Sequence, residues 1–306
     1  MTVVTDDLES LLASGERAVF HGAPASAVGQ LEHAVVRARE DGRFAEVTAA
    51  AWLLGVALSA SGRYGGALTV LTPLLEAGEK PDASPETRLF AALAAATAAS
   101  VHRSLGRHDV ATALDTRGLG LTDGGGEAGF DCLLGLAIDA IGEEDAGRAR
   151  EWLDAAEAVV NGHGEDWWRQ QVRLDWTRCE VSLLEGDADE ALAAATTAVD
   201  RAEAARAPRH VAKGLLFTAV AELSSGGDAV PTLRRSATLA ESLGVLPVLW
   251  QARALLGALT VEDDPESAAA ALSAARSVVL TIAGDLSPEM REQWLDRPNV
   301  AALLGG

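Results

Sequence analysis

The stretch from Trp176 to Arg201, WTRCEVSLLEGDADEALAAATTAVDR, leaves a chain few ways to fold. Small and apolar residues recur at helical spacing on both sides of Gly186-Asp187, which predicts two helices joined by a tight turn. Glycine adopts backbone angles at that turn that other residues resist, and Asp187 is placed to cap the second helix. In that helix Ala191, Leu192, Ala195, Ala198 and Val199 form a narrow, alanine-rich stripe against which a neighbouring helix can pack closely. Such a pair cannot bury both of its faces by itself. It has to stack on further pairs, which is how a solenoid is built.

The same arrangement recurs along the chain. From Ala51 to Leu75 the sequence turns at Gly62, with Leu54, Gly55 and Leu58 before the turn and Tyr64, Ala67, Leu68 and Leu71 after it; Pro73 weakens the last helical turn. A first pair is expected over Asp6 to Gly22 and Ala25 to Arg39, turning at Gly22-Ala23-Pro24. Further turns fall at Gly106-Arg107, around Gly142 to Asp145, at Gly226-Gly227 and at Asp263-Asp264. The expected fold is therefore all-α: a solenoid of about seven antiparallel helical hairpins, with a short closing helix in the segment Ser287 to Leu304. Composition agrees, since 48% of the 306 residues are hydrophobic but only 4% aromatic, which suits thin, closely packed helices.

The pattern resembles the tetratricopeptide repeat (TPR) family. There a large apolar residue and a small one stand eight and seven positions before the turn glycine, as Leu54 and Gly55 do. An aromatic and an alanine follow it at two and five positions, as Tyr64 and Ala67 do. Around Gly186 the small residue is Cys179 and the alanine is Ala191, while Arg178 and Ala188 depart from the family's choices. The turns recur every 36 to 44 residues, wider than the family's 34. The closing segment, with its arginine-proline turn, resembles the ends of helical repeat regions in actinobacterial regulatory proteins. Regulation through partner binding is what the resemblance implies.

Two polar stretches interrupt the array, Glu76 to Glu86 and the glycine-rich Leu121 to Gly129. The second is a candidate joint between N-terminal hairpins over 1–122 and C-terminal hairpins over 127–306, within one continuous solenoid. The net charge of −20 is spread over both halves, so the chain would repel a phosphate backbone, and nucleic acid is not an expected partner. Lys80 and Lys213 are the two lysines among 25 basic residues, a bias expected of a GC-rich bacterial coding sequence. Cys132 and Cys179 lack any CxxC spacing and read as buried, reduced thiols. No leader pattern or long uninterrupted apolar run is evident, so a cytoplasmic protein without membrane contact is expected.

No spacing supports catalysis. Gly124-Gly125-Gly126 is not followed by the lysine of a phosphate loop, and GxSxG and HExxH are absent. The six histidines never fall on adjacent helical turns and read as surface or groove residues. Glu262-Asp263-Asp264 precedes Pro265 and reads as a helix cap rather than a metal site. Neither a metal nor a cofactor is expected.

In the TPR family, residues thirteen, ten and six before the turn face the concave surface. Carried onto this chain, these positions give Arg173, Trp176 and Glu180, with Arg169 one turn earlier. The next two pairs add Lys213, then Trp250 and Arg253 if the turn residues are Gly226 and Asp263. Such a groove could hold carboxylates bidentately and bury apolar anchors. The same residues would equally serve as core tryptophans and structural ion pairs. Trp167 and Trp168, being adjacent, must face different ways. Peptide-binding relatives clamp backbone with asparagines, whereas this chain has only Asn161 and Asn299. A non-enzymatic adaptor or scaffold for an acidic or helical protein partner, with a homo-oligomer left open, is thus the leading expectation. A sensor of a small acid or short peptide in an enclosed groove is the alternative.

Overall fold

The computed structural model describes residues 7–161 and 163–305; the expected helix start at Asp6, like the outer ends of the two expected segments, lies outside them. Seven antiparallel helix pairs follow one another. The first three are α1 (Leu8–His21) with α2 (Pro24–Glu40), α3 (Phe44–Ala60) with α4 (Tyr64–Gly78), and α5 (Pro85–Ser104) with α6 (His108–Thr122). The fourth and fifth are α7 (Gly126–Gly142) with α8 (Ala146–Val160), and α9 (Trp168–Glu185) with α10 (Ala188–Ala204). The sixth and seventh are α11 (Pro208–Ser224) with α12 (Val230–Leu243), and α13 (Leu246–Thr260) with α14 (Pro265–Gly284). The closing segment contains two short helices rather than one, α15 (Pro288–Leu295) and α16 (Pro298–Gly305), because Pro298 starts a new helix after Arg297.

Local chemistry accounts for the pairs. Gly186 ends α9 in the left-handed region at φ 82°, and the Asp187 carboxylate accepts the Glu190 amide at 3.0 Å. Asp264 caps α14 in the same way through the Ser267 amide, at 3.1 Å. Within each pair the two helices meet over a small residue. A Cβ added at Gly15, Gly55 or Gly257 would come within 2.5, 2.4 or 2.5 Å of Leu31, Leu71 or Leu272. Pairs three to six use Ala99, Ala137, Cys179 and Ala219 there, all fully buried. Ala191 is likewise buried, against Cys179, Ala195 and Ala221. Pro73 does not end α4, which continues to Gly78 because Leu74, Leu75 and Gly78 are buried beyond it.

The glycine-rich stretch is mostly helical: only Asp123, Gly124 and Gly125 separate α6 from α7. Ala92, Leu93 and Ala128 share one apolar cluster with Leu121 packed on it, so buried contacts cross this point. Helix α14 is long and apolar enough to cross a membrane by length and composition, with mean hydropathy 1.4. It packs against α13 and α16, and Arg276 on it donates from Nε to the Leu303 carbonyl at 2.6 Å.

The array coils until its two ends touch. Gly66 donates its amide to the Asp285 carboxylate at 3.1 Å, and Arg297 Nη1 donates to the Ser104 carbonyl at 3.1 Å. Arg209 Nε donates to the Val19 carbonyl at 3.3 Å, and His21 Nδ1 lies 3.1 Å from the Ala205 carbonyl. The first three pairs thereby meet the last two and the closing helices, around a central cavity.

Candidate functional site

The first helix of every pair sends residues to that cavity, of about 190 Å³. Left-handed residues set the register in pairs two to six: Gly62, Gly106, Glu144, Gly186 and Gly226 all have positive φ. The three offsets read from the sequence lead back to wall residues. Trp52 and Val56 come from α3, Ala96 and Ser100 from α5, Asp131, Leu134 and Ile138 from α7. Arg173, Trp176 and Glu180 come from α9 and Lys213 from α11, while Arg169 joins them one helical turn earlier.

Five of the seven groove candidates are thus brought together, and two are not. Trp250 is half-buried against the main apolar core. Arg253 lies in a shallow depression between α12, α13 and α14, where its Nη2 pairs with Glu241 Oε1 at 2.7 Å. The cause is a one-residue register difference. Leu256-Gly257 is the counterpart of Leu54-Gly55, which puts the equivalent turn position at Asp264 rather than Asp263. One residue is about 100° around a helix, enough to turn a side chain off the concave face.

Charges crowd the wall. Asp131 on α7 accepts both Arg169 Nη1, at 3.1 Å, and Arg173 Nη1; Arg169 Nη2 also reaches Glu127 at 3.2 Å. The alternative role of these arginines, pairing with neighbouring acids, is therefore real and coexists with lining the cavity. Arg103 on α5 donates through Nη1 to Asp115 on α6 (2.6 Å) and Asp139 on α7 (3.0 Å), and Asp139 also binds His108 Nδ1 at 3.0 Å. Both carboxylates are buried, so the network ties three helices behind the wall. A side chain at Gly135 would strike it, with a Cβ only 2.1 Å from Asp115 Oδ2.

Arg209 and Lys213 differ from those arginines. Among the described residues neither has a carboxylate within ion-pair distance. Burial and the guanidinium groups of Arg169 and Arg173 draw Arg209 down to about 10. Burial lowers Lys213 to about 8, Glu180 opposing and Arg173, Arg209 and Arg103 adding to the shift. Its Nζ lies 4.8 Å from the centre of the Trp176 ring and 5.5 Å from that of Phe217. Burial raises Glu180, with Lys213 opposing.

Five cations and two carboxylates line this cavity in a chain whose net charge is −20. Arg103, Arg209, His210 and Phe217 were not among the sequence candidates. One signal was available for Arg209: it stands seventeen positions before Gly226, as Arg169 does before Gly186. His210 is buried yet lines the cavity, within the surface or groove positions expected for the histidines, whereas His102 is buried away from it. His210 stacks on Trp176 with ring centres 5.6 Å apart, at 14°. Trp167 and Trp168 do diverge: the former stacks on His163, the latter packs against His21 and His210. Among the described residues no His, Cys, Asp and Glu group is arranged to hold a metal.

Seven antiparallel pairs joined at tight turns, packed over small residues and lining a concave face with their first helices, define a TPR-like α-solenoid. Solved structures share this fold. The Rap conjugation gene regulator of the plasmid pLS20, in complex with the Phr* peptide, superposes with a TM-score of 0.68 at 16% identity, over 94% of this chain and 82% of that one. A Rap protein complexed with Competence and Sporulation Factor gives 0.64 at 10% identity, over 98% and 80%. Aspartyl phosphate phosphatase F from Bacillus subtilis gives 0.50 at 12%, over 100% and 84%. No family model matches the sequence, and no curated protein matches it either.

Proposed function

We propose that this chain is a non-enzymatic regulatory adaptor of the cytoplasm whose concave cavity receives an acidic segment of a protein or peptide partner. One observation carries the reading: an excess of cations, two of them without a carboxylate partner among the described residues, gathered inside a strongly acidic molecule. Partly buried charge of this kind is costly unless compensated, and a bound carboxylate compensates it. Trp176 and Phe217 supply apolar surface beside the cations. Two structures of similar fold hold a bound Phr* peptide and Competence and Sporulation Factor, which agrees with a peptide-sized occupant. Free buried thiols at Cys132 and Cys179 agree with a reducing compartment. The alternative of a small-acid sensor is favoured by one feature, the contact between the two ends that narrows the groove.

Panning a random peptide library against the immobilised protein tests the proposal. Acidic peptides bearing apolar residues should be enriched on the wild type and lost on Lys213→Glu. A charge-blind selection, or one that Lys213→Glu retains, would remove the cavity from the account.

A further inference from the structure

Three cations with unused hydrogen-bonding capacity converge on one part of the wall. Arg173 is bonded to Asp131 through Nη1 alone, Arg209 spends Nε on the Val19 carbonyl, and Lys213 meets only ring faces and the field of Glu180. Beside them His210 is 2% exposed, and its Nδ1 has no hydrogen-bond partner. Its Nε2 lies 3.4 Å from Arg209 Nη2, which can only donate, so a neutral His210 carries its proton on Nδ1. Burial and then the charge of Arg209 hold this imidazole well below its ordinary pKa, hence neutral.

Resting on the reading of the concave face as the binding surface, we propose that this part of the cavity binds one carboxylate carried on a short apolar stem. The carboxylate oxygens sit among Arg173, Arg209 and Lys213, and the stem lies against the Trp176 and Phe217 rings. Glu180, on the same wall as Lys213, repels a second negative charge, so the ligand group is a monocarboxylate. The volume of about 190 Å³ is below the roughly 300–1,000 Å³ of pockets for drug-sized molecules, so the group is compact. A free small acid and the C-terminal end of a peptide share this chemistry.

The test is calorimetric titration of the full chain with hexanoate and hexanamide, and with the tripeptide Gly-Gly-Leu as its free acid and its C-terminal amide. At least one free acid should bind about tenfold or more tightly than its amide, because the amide lacks the charge that the cations answer. Binding of hexanoate at least as tight as that of the tripeptide acid identifies a free acid as the source; the reverse order identifies a peptide end. Lys213→Met should weaken the better acid by about tenfold while melting no lower than the wild type, since it removes a partly buried charge. Arg209→Gln should weaken it in the same direction and serves as the second variant if Lys213→Met folds poorly. Equal binding of acids and amides, no binding of either acid, or unchanged binding by folded Lys213→Met overturns the inference. If acidic library peptides are still selected in that case, the inference alone falls; if they too are lost, the adaptor reading falls with it.

Discussion

Pair five and pair seven carry arginine and tryptophan on their first helices, yet the two pairs use them oppositely. On α9, Arg173 and Trp176 stand on the cavity wall, and the arginine is braced by Asp131 from the neighbouring pair. On α13, Trp250 fills space against the core and Arg253 points to Glu241 outside the cavity. Residue type does not separate the two cases. The difference is one residue of register, set in pair five by left-handed Gly186 and in pair seven by the packing of Gly257 on Leu272. On a helix, a side chain's role follows from where the small contact residue locks the rotation.

The strongest test of that register is Ala191→Glu. Ala191 is fully buried against Cys179 and Ala195, so an unpaired carboxylate there should cost about 3–5 kcal/mol and lower the melting temperature markedly. Unchanged melting would mean that pair five is locked somewhere else.

Charge reversal compares the two pairs directly. Arg173→Glu should weaken capture of an acidic library peptide by about 1.5–3 kcal/mol, whereas Arg253→Glu should leave it unchanged. Fluorescence titration of both variants decides, and equal losses would erase the distinction between them.

A smaller effect, on the cavity wall beside pair five, is read by pH. Lys213 faces Glu180, whose carboxyl burial raises, together with Arg173, Arg209, Arg103 and neutral His210, and its own pKa is drawn down to about 8. It is charged below that value and neutral above it, so peptide affinity should fall by up to about tenfold between pH 7 and 9. Lys213→Met should abolish that dependence. The folding contribution has the opposite sign: a depressed lysine destabilises the fold in full while it is charged in both states, and that penalty eases as pH rises from about 8 towards the unfolded value. Thermal melts from pH 7 to 9 on the wild type and Lys213→Met read this second arm.

The least consequential expectation concerns the point between pairs three and four. Asp123, Gly124 and Gly125 are the non-helical residues there, and limited proteolysis should cut at them before cutting within pair five. First cuts inside pair five would end the division of the array into two groups.

Much of this was legible in the chain itself. Leu54, Gly55, Tyr64 and Ala67 announce a packed pair, and all four are buried in it, because helical periodicity and turn chemistry act over a few residues. Asp187 is a cap in the sequence and a cap in the fold for the same reason. Proline was an equally local signal: Pro24, Pro85, Pro208, Pro265, Pro288 and Pro298 each open a helix, and the last of these divides the closing segment in two. The wall residues of α9 and Lys213 followed from counting back from a glycine turn. Trp250 and Arg253 did not, because an acidic turn without glycine marks no single residue.

Sequence by itself determined the all-α pairs, since helical period and turn chemistry act within a hairpin, while the first helices as the inward-facing ones were what the resemblance to the TPR family implied. Tertiary structure decided what the inward faces enclose. Val19 and Arg209 are 190 residues apart in the chain, and Ser104 and Arg297 are 193 apart. Nothing in either partner's neighbourhood announces the other. The small rotation between successive pairs, summed over seven of them, brings these residues together. That closure places Phe20 of α1 and Arg103 of α5 in one cavity with Arg209 and Lys213 of α11.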